Sequence, residues 1–507
     1  MILSLIIFLP LIGALAVAVL PRESPARRWV AVGASLATLA ASLVMFVGFS
    51  PALPGFQFVE SYLWIPAYNI GYKLGVDGIS LWLILLTNLV FPLAIGYSFS
   101  TIKTREREYY SLFLLMQTAT LGVFLSLDLF LFYVFWEFAL VPMYFIIGIW
   151  GGDRRIYASL KFFVYTMLGS VLMLLGILYI GYTGGTFDLE ALMKANLWAA
   201  SAPLFLAFAL AFAIKVPLWP FHSWLPDAHV EAPTAGSVVL AAILLKMGTY
   251  GLLRFNLGLF SEASKQFAPL MMTLAVIGIL YGAVVAFAQS DAKKLVAYSS
   301  VSHMGYIVLG IFALNGMGAQ GALLQMINHG LSTGGLFLVI GFIYERLHTR
   351  DMGKMGGLWA KMPLYGTLAL LLVLSSVGLP GLNGFVGEYV ILQGAFQANQ
   401  IATAFAAVGM VLSAVYLLTM FQKIFLGKAR DEAGEGANAA GHTDAGHAAV
   451  AGPGGISLAD LNWREVLAVA PLIVLCFVIG LMPTPFFDVM KASIGRIFAM
   501  AVAGVAP

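Results

Sequence analysis

Long uninterrupted apolar runs are the feature of this sequence that most constrains its fold. Many of them extend over roughly 18–25 residues, the length at which an α-helix crosses the hydrocarbon core of a bilayer. Of the 507 residues, 61% are hydrophobic and only 10% are charged, whereas a soluble protein of this size needs more charge to cover its surface. The sequence therefore predicts an all-α polytopic membrane protein.

The apolar segments predict about fourteen membrane spans. Their ranges are 1–20, 29–49, 78–100, 109–126, 129–149, 158–181, 202–221, 236–256, 268–289, 299–315, 319–344, 363–396, 401–426 and 464–482. The first run lacks the basic N-terminal region of a signal peptide, so we interpret it as a span. A last segment, 486–501, mixes apolar residues with Asp488, Lys491 and Arg496, and we expect it to lie at the membrane interface.

The distribution of Lys and Arg predicts the orientation of the spans, because positive residues accumulate on the inner side of a membrane. If the N-terminus is outside, the outer side holds only Lys73, Lys194, Arg254, Lys265, Lys491 and Arg496. Two more, Lys215 and Lys246, fall inside spans, and the other 19 of the 27 basic residues fall on the inner side. We therefore expect both termini to face outward.

Two of the predicted spans contain residues that interrupt a helix. The seventh ends in KVPLWP, residues 215–220, and the twelfth contains GLPGLNG, residues 378–384. Such breaks free backbone groups that lipid cannot satisfy, so they occur where protein or a water-filled cavity covers them. The breaks are five spans apart, and the two spans therefore run in opposite directions. This spacing indicates an inverted repeat with the functional centre at the breaks; two unrelated kinks are the alternative.

We expect the chain to comprise five parts. They are an N-terminal three-helix segment, two five-helix repeats of inverted orientation, a flexible inner loop, and a C-terminal span with the interfacial segment, at residues 1–107, 108–257, 266–428, 429–462 and 463–507. The loop is predicted from residues 429–455, which are rich in Gly and Ala with scattered charges and are typical of a flexible linker.

Charged side chains at bilayer depth are the strongest functional signal, because each costs at least about 2–3 kcal/mol there. Four are present: Glu137, Lys215, Lys246 and Glu388. Lys215 and Glu388 adjoin the two breaks. His303 and His329, on the tenth and eleventh spans, are weaker candidates, since a histidine can be a satisfied packing residue. The structural alternative for the charged residues is a set of buried salt bridges, or a lysine that caps freed carbonyl groups.

Glutamate, lysine and histidine together suit proton transfer. Burial lowers the pKa of a lysine and raises that of a glutamate, while pairing opposes both changes. A lysine beside a glutamate therefore stays protonated, and it can release its proton when the glutamate moves away. Histidine titrates near neutral pH and suits a relay step. We expect Glu137 and Lys215 to form such a switch pair, although they lie on different spans and spacing alone does not place them in contact.

Other residues favour no separate chemistry. The single cysteine, Cys476, lies in an apolar helix and cannot build a thiolate metal site or an internal disulfide. No phosphate-cradling glycine loop, basic stripe for nucleic acid or defensible metal-ligand spacing occurs. Asp128, at a span start, is interpreted as a helix cap. One polar group follows the seventh span, where we expect an interfacial hydrogen-bond cluster of His222, Asp227, His229 and Glu231.

Several long motifs resemble those of the antiporter-like membrane subunits of respiratory complex I. The stretch KVPLWPFHSWLPDAHVEAPTAGS at 215–237 carries most of the resemblance, and LLKMGTYGLLR at 244–254, AYSSVSHMGY at 297–306 and NHGL at 328–331 agree with it. The similarity extends over nearly the whole chain. Within this family, the glutamate at 388 and the chain length are similar to the M-type subunits, the counterparts of mitochondrial NADH dehydrogenase chain 4.

The resemblance implies a proton-translocating subunit of NADH:quinone oxidoreductase with no redox centre or cofactor of its own. NADH oxidation and quinone reduction would occur in other subunits, and sister antiporter-like subunits and lipids of a bacterial inner membrane would be its partners. By matching motif positions, the family's proton-path residues fall on Glu137, Lys215, Lys246, His303, His329 and Glu388. Two alternatives stay open: a subunit of a multi-subunit cation/proton antiporter, which shares this module, and a scaffold that only anchors its neighbours.

Overall fold

The structure, a computed structural model, describes residues 1–21, 24–427 and 458–503. Every predicted span coincides with a helix or with consecutive helical pieces. Within the described ranges, eleven helical segments are long and apolar enough to cross a membrane, and the remaining predicted spans correspond to one less apolar helix and two broken ones. The predicted loop at 429–455 lies outside the described residues.

The N-terminal segment combines three helices with a β-hairpin that the sequence analysis did not predict. The elements are α1 (Ile2–Val19), α2 (Ala26–Val47), β1 (Gln57–Ile65), β2 (Ile70–Val76) and α3 (Ser80–Thr101). The two strands are antiparallel and are joined through a 3-10 turn. Glu60 of β1 accepts a hydrogen bond from the backbone N–H of Leu3 at 2.9 Å, so the hairpin is attached to the start of the first helix.

The first repeat begins with α4 and ends in one long central span. Its elements are α4 (Glu106–Leu125), α5 (Leu129–Phe138), α6 (Leu140–Trp150), α7 (Arg155–Gly184), α8 (Leu189–Ala195), α9 (Ala202–Lys215), α10 (Trp224–Glu231), α11 (Thr234–Val239), α12 (Leu245–Gly251) and α13 (Leu257–Leu259). The predicted break is present, since α9 ends at Lys215. A further interruption at Ala139 was not predicted; it lies three residues before Pro142, which has no backbone N–H to continue the helical bonding.

The second repeat has the same general plan. Its elements are α14 (Ser261–Phe287), α15 (Ala292–Phe312), α16 (Gly316–Leu347), α17 (Leu358–Lys361), α18 (Pro363–Val377), α19 (Asn383–Ala398) and α20 (Gln400–Phe425). The predicted break separates α18 from α19. Gly378 and Gly381 have φ of 83° and 94° there, a left-handed conformation that glycine adopts without steric cost.

Two isolated backbone bridges show the internal repeat directly. Asp128 pairs with Asp188, and Asp291 pairs with Asp351; both pairs are 60 residues apart. Asp128 caps α5 and Asp291 caps α15, each through the backbone N–H groups two and three residues later, which confirms the predicted role of Asp128. Because α5 begins the fifth span and α15 the tenth, the related bridges lie on opposite sides of the membrane, and the repeats are inverted.

Burial separates the central spans from the peripheral ones. In α16 and in the span formed by α11–α13, every residue of the most apolar stretch is buried, whereas only 28% are buried in α2 and 33% in α20. A helix surrounded by protein can hold polar side chains that lipid would not tolerate. The buried pair of spans is therefore where polar groups are expected to gather.

The C-terminal part consists of α21 (Trp463–Leu481) and α22 (Thr484–Ala503). Ser493 accepts a hydrogen bond from the backbone N–H of Gly78 at 2.9 Å, and Arg496 donates to Glu190 at 2.9 Å. These contacts place α22 against the start of α3 and against α8, on the side of the molecule that also carries the hairpin.

Candidate proton path

Lys246 lies at the centre of the molecule, on the short helix α12 between two π-helical segments, Leu240–Leu244 and Leu252–Asn256. The side chain is fully buried. Its ammonium donates to the carbonyl oxygen of Ala241 at 2.6 Å and lies 2.6 Å from Nδ1 of His329 on α16. π-Helical segments within a helix often mark functional sites, because they displace backbone groups from regular hydrogen bonding. Here the carbonyl of Ala241, in the first segment, faces the lysine.

His329 continues this contact toward the second repeat. Its ring centroid lies 5.9 Å from that of His303 on α15, a separation that one water molecule can bridge. Nε2 of His329 is buried and has no hydrogen-bond partner among the residues that the structure describes. The predicted pair of histidines is therefore brought together by two helices that are adjacent in space.

His303 connects directly to Glu388. Nδ1 of His303 lies 2.8 Å from Oε1 of Glu388, just after the break between α18 and α19. The other ring nitrogen lies 3.4 Å from the hydroxyl of Tyr416 on α20. Both members of the pair are almost completely buried. Oε2 of Glu388 has no hydrogen-bond partner in the described part of the chain.

A chain of amides that the sequence analysis missed holds Glu388. Gln325 donates to Oε1 of Glu388 at 3.1 Å and accepts from Nδ2 of Asn328 at 3.1 Å. Nδ2 of Asn328 also donates to the carbonyl of Asn383 at 2.8 Å, and the side chain of Asn383 accepts from Ser375 at 2.6 Å. One signal was available, since the two amides on α16 lie within one turn of His329.

Glu137 and Lys215 lie at the other end of the site. Their charges are close enough to interact electrostatically. The Lys215 ammonium lies 5.4 Å from the ring of Trp136 and 5.5 Å from that of Phe162, as a cation over aromatic faces. The predicted proximity of the pair is present.

Glu137 also faces the side of the molecule. It lines a lateral cavity of about 520 Å³ together with Tyr133, Val141 and Phe163, and Val141 is 43% exposed. Oε1 of Glu137 has no hydrogen-bond partner in the portion of the chain with described side chains. Glu137 is therefore only partly buried and lies between this lateral cavity and Lys215.

The predicted interfacial cluster after the seventh span is wrong as a single cluster. Asp227 forms an ion pair with Lys161 at 2.7 Å, and His222 packs against the ring of Tyr281. Glu231 instead accepts from the backbone N–H of Arg154 at 2.9 Å. His229 faces the buried interior. His222 precedes α10, which begins at Trp224. Within α10, His229 lies two residues from both Asp227 and Glu231, so its side chain points to a different side of the helix.

The arrangement forms a file of protonatable groups across the two repeats. It begins at Glu137 and Lys215, passes Lys246 and His329 in direct contact, and ends at His303 and Glu388 in direct contact. The direct contacts are short enough for proton transfer, and the gap between His329 and His303 is of a length that one water can bridge. Among the described residues, no group of three His, Cys, Asp or Glu side chains could hold a metal ion.

Two protein-family models match this chain. Residues 126–413 match the family described as NADH:quinone oxidoreductase/Mrp antiporter, and residues 31–128 match the amino terminus of NADH-ubiquinone oxidoreductase chain 4. The chain is 43% identical to NADH-quinone oxidoreductase subunit M of Rhodobacter capsulatus, covering 98% of this chain and 96% of that protein. It is 41% identical to NADH-ubiquinone oxidoreductase chain 4 of Marchantia polymorpha, with the same coverage.

Solved structures share the same fold. A chain of respiratory complex I from Thermus thermophilus with bound NADH matches with a TM-score of 0.85 and 33% identity, over 99% of both chains. A chain of the Mrp complex from a Dietzia species matches with a TM-score of 0.82 and 23% identity, over 98% of both. At that lower identity the likeness concerns the fold alone.

Proposed function

The chain belongs to the family of M, or chain 4, subunits of NADH:quinone oxidoreductase, and we propose that in this complex it moves protons along the buried file just described. The observation that carries the proposal is the pair of direct contacts, Lys246 with His329 and His303 with Glu388, at 2.6 and 2.8 Å. A scaffold has no need for consecutive protonatable groups in contact inside an apolar core, where each costs free energy.

Each part of the file has a distinct task in this proposal. Glu137 and Lys215 form the switch: the ammonium is stabilised while the carboxylate is near, and it becomes a proton donor when the carboxylate moves away. Lys246 and His329 receive the proton and pass it to His303, whose imidazole can take it on one nitrogen and release it from the other. Glu388 accepts it and hands it on.

The rest of the complex would supply the driving force. We infer that NADH oxidation and quinone reduction, with their redox cofactors, take place in other subunits, and that sister antiporter-like subunits and lipids surround this chain. We also infer a bacterial inner membrane with both termini on the outer side. The inner location of most basic residues supports this orientation.

Substitution of the switch pair in the assembled complex tests the proposal. With Glu137→Ala or Lys215→Ala, we expect NADH-driven proton uptake into inside-out membrane vesicles to fall, while NADH:ferricyanide reductase activity reports intact assembly. Lys194→Ala is a matched control, since Lys194 is an exposed lysine of α8. Wild-type proton uptake by an assembled switch variant would contradict the assignment.

Two other functions predict different results. A subunit of a cation/proton antiporter would purify without flavin and iron–sulfur subunits, whereas a complex I subunit co-purifies with them. If the chain were only a scaffold, neutral substitutions in the file would alter assembly, but the number of protons moved per NADH would stay constant.

A further inference from the structure

Basic side chains gather where α2 begins and where α3 is joined to α4, at the inner ends of these helices in the proposed orientation. We call them, with the acidic residues among them, the inner basic cluster. Its members are Arg27, Arg28, Lys103, Arg105, Glu106, Arg107 and Glu108. Five are cations and two are carboxylates, so the cluster carries an excess of positive charge. Because such an excess is usual on the inner side of a membrane, a binding site requires evidence from geometry.

Ion pairs account for both carboxylates of the cluster. Nε of Arg28 donates to Glu106 at 2.9 Å, and a guanidinium nitrogen of Arg107 lies 3.9 Å from Glu108. Arg27 is only 6% exposed, and it reaches Glu106 through a longer contact of 3.8 Å. The carboxylates are therefore already matched by Arg28 and Arg107. The excess positive charge lies on Arg27 and on the two cations of the loop between α3 and α4.

These three cations line one cavity. It has a volume of about 410 Å³, and its walls are formed by Arg27, Lys103, Arg105 and the two paired carboxylates. Nζ of Lys103 donates to the carbonyl of Phe99 at 3.2 Å, so its other donor hydrogens can serve another acceptor. The guanidinium of Arg105 makes no hydrogen bond or ion pair with the residues that the structure describes. A phosphate group matches this cavity, because it supplies negative charge and several acceptor oxygens.

The backbone of Arg105 gives a second reason to assign it a ligand. Its φ is 52°, in the left-handed region, where a residue with a Cβ is strained and glycine is not. Arg105 is also the N-cap of α4, yet its side chain makes no capping hydrogen bond, although Ser, Thr, Asp and Asn are the residues favoured there. Neither the turn nor the cap explains an arginine at this position, whereas a ligand for its guanidinium does.

An aromatic pair next to the cavity marks the level of lipid headgroups. Trp29 of α2 is 67% exposed, and its ring meets that of Phe99 edge to face, with centroids 5.5 Å apart. Tryptophan is enriched where a membrane meets water. Phe99 lies one turn of α3 before Lys103, and only 28% of the most apolar stretch of α2 is buried. A lipid whose phosphate occupies the cavity can therefore extend its acyl chains along α2.

We propose that the inner basic cluster binds the phosphate group of one anionic phospholipid of the inner leaflet. Arg27, Lys103 and Arg105 hold the phosphate, and the ring of Trp29 lies beside the glycerol and the start of the acyl chains. A zwitterionic lipid binds more weakly, because its own cation offsets the charge of its phosphate. The inference rests on the proposed orientation of the chain and does not depend on the proton path.

The bound lipid would also hold two parts of the chain together. The carbonyl of Thr104, between the two exposed cations of the loop, accepts from Nε1 of Trp150 at 2.9 Å. Trp150 ends α6 of the first repeat, whereas Arg27 belongs to the N-terminal three-helix segment. A phosphate held by Arg27 and by this loop therefore fastens the three-helix segment to the first repeat at the inner surface.

The test uses the whole complex in phosphatidylcholine vesicles that contain a small fraction of phosphatidylglycerol with a diazirine near the glycerol end of one acyl chain. After illumination, mass spectrometry of the peptides that contain Trp29 and Phe99 measures the labelled fraction. We expect saturable labelling of these peptides in the wild type. Unlabelled phosphatidylglycerol should compete for the site, whereas extra phosphatidylcholine or millimolar inorganic phosphate should not.

Variants test the role of the cations. Lys103→Gln/Arg105→Gln should raise the half-saturating fraction of phosphatidylglycerol on the order of 30-fold, since each basic residue near the surface contributes a factor of about five. Lys103→Arg/Arg105→Lys keeps both charges and should retain most of the labelling. Arg155→Gln/Lys423→Gln is the matched control, because it removes two exposed inner cations that do not line the cavity, and it should label like the wild type.

Several outcomes would overturn the lipid site and leave the proposed proton path standing. Equal labelling by photoreactive phosphatidylcholine would show that the site does not select an anionic lipid, and competition by inorganic phosphate would show that it takes a free anion. No labelling by either lipid would show that a partner protein covers the cluster. Labelling of the neutral double variant at the wild-type level would remove the cations from the site. If that variant does not assemble, the competition in the wild type decides.

Discussion

The buried ion pair between Asp77 and Arg254 supports a quantitative prediction about what holds the central span in place. Arg254 donates to both carboxylate oxygens of Asp77, at 2.7 and 2.6 Å, and the two side chains are only 3% and 2% exposed. Arg254 lies eight residues beyond Lys246 in the same span, about 12 Å along its axis. The pair therefore anchors the span that carries the central lysine to the segment before α3.

Removal of one partner leaves the other charge buried and unpaired, which costs about 3–5 kcal/mol. Asp77→Asn is a clean perturbation, because Asn keeps the oxygen that accepts from the backbone N–H groups of Ile79 and Ser80. Removal of both charges is expected to be nearly neutral, since a buried pair gains little over apolar residues of the same size. The double variant Asp77→Asn/Arg254→Met should thus recover most of the stability that either single variant loses.

The assay is the temperature at which the detergent-solubilised complex loses this subunit, together with the amount of complex assembled in the membrane. In both single variants the dissociation temperature and the amount of assembled complex should be well below those of the wild type. In the double variant both should be close to the wild-type values. Glu262→Gln is the control, because the Glu262–Lys265 pair is about half exposed and such pairs contribute about 0–1 kcal/mol. A double variant that is less stable than both single variants would refute the reasoning.

The same pair predicts the direction of a pH effect. Burial opposes ionisation of Asp77, but the guanidinium of Arg254 outweighs it and holds the pKa of Asp77 below its usual range. A lowered carboxylate pKa contributes stability that is complete above the unfolded value of about 3.9 and is lost as the pH falls through the folded value. The stability difference between the wild type and Asp77→Asn should therefore shrink only in acid below about pH 4.

Three further perturbations have defined outcomes. Lys246→Met should abolish proton uptake through this subunit with assembly retained, measured by a pH-sensitive dye, because it removes the ammonium that joins the carbonyl of Ala241 to Nδ1 of His329. Gln325→Met should slow proton uptake on the order of 10-fold, since a hydrogen bond to a charged acceptor contributes about 1.5–3 kcal/mol; unchanged uptake would remove the amide from the mechanism. Glu190→Gln should weaken attachment of α22, detected as faster proteolysis of the C-terminus. Burial opposes ionisation there too, but Arg496 and Lys73 hold the pKa of Glu190 below its usual range. The proteolysis rate of the wild type should therefore approach that of Glu190→Gln only in acid.

Several features of the fold were readable from local sequence. The length of the apolar runs predicted the membrane spans. The prolines and glycines at 215–220 and 378–384 correctly marked two breaks in the helices. The hairpin at Gln57–Val76 was not recognised, because its aromatic and β-branched residues occur in a stretch too short and too polar for a span. The π-helical segments beside Lys246 were also missed, since nothing in a continuous apolar run distinguishes π from α bonding.

By itself, the sequence determined that this chain crosses a membrane many times, and it identified the few charged side chains within the spans. Both features are visible in residues that are neighbours along the chain, namely the length of an apolar run and a charge inside it. Only the tertiary structure decided which of those side chains meet. His303 contacts Glu388 across 85 residues, and Lys246 contacts His329 across 83. His229, which the sequence grouped with polar neighbours, turned inward alone, because its environment depends on how α10 packs against α15 and α16. Contacts of this kind depend on helix packing, and no spacing along the chain encodes them.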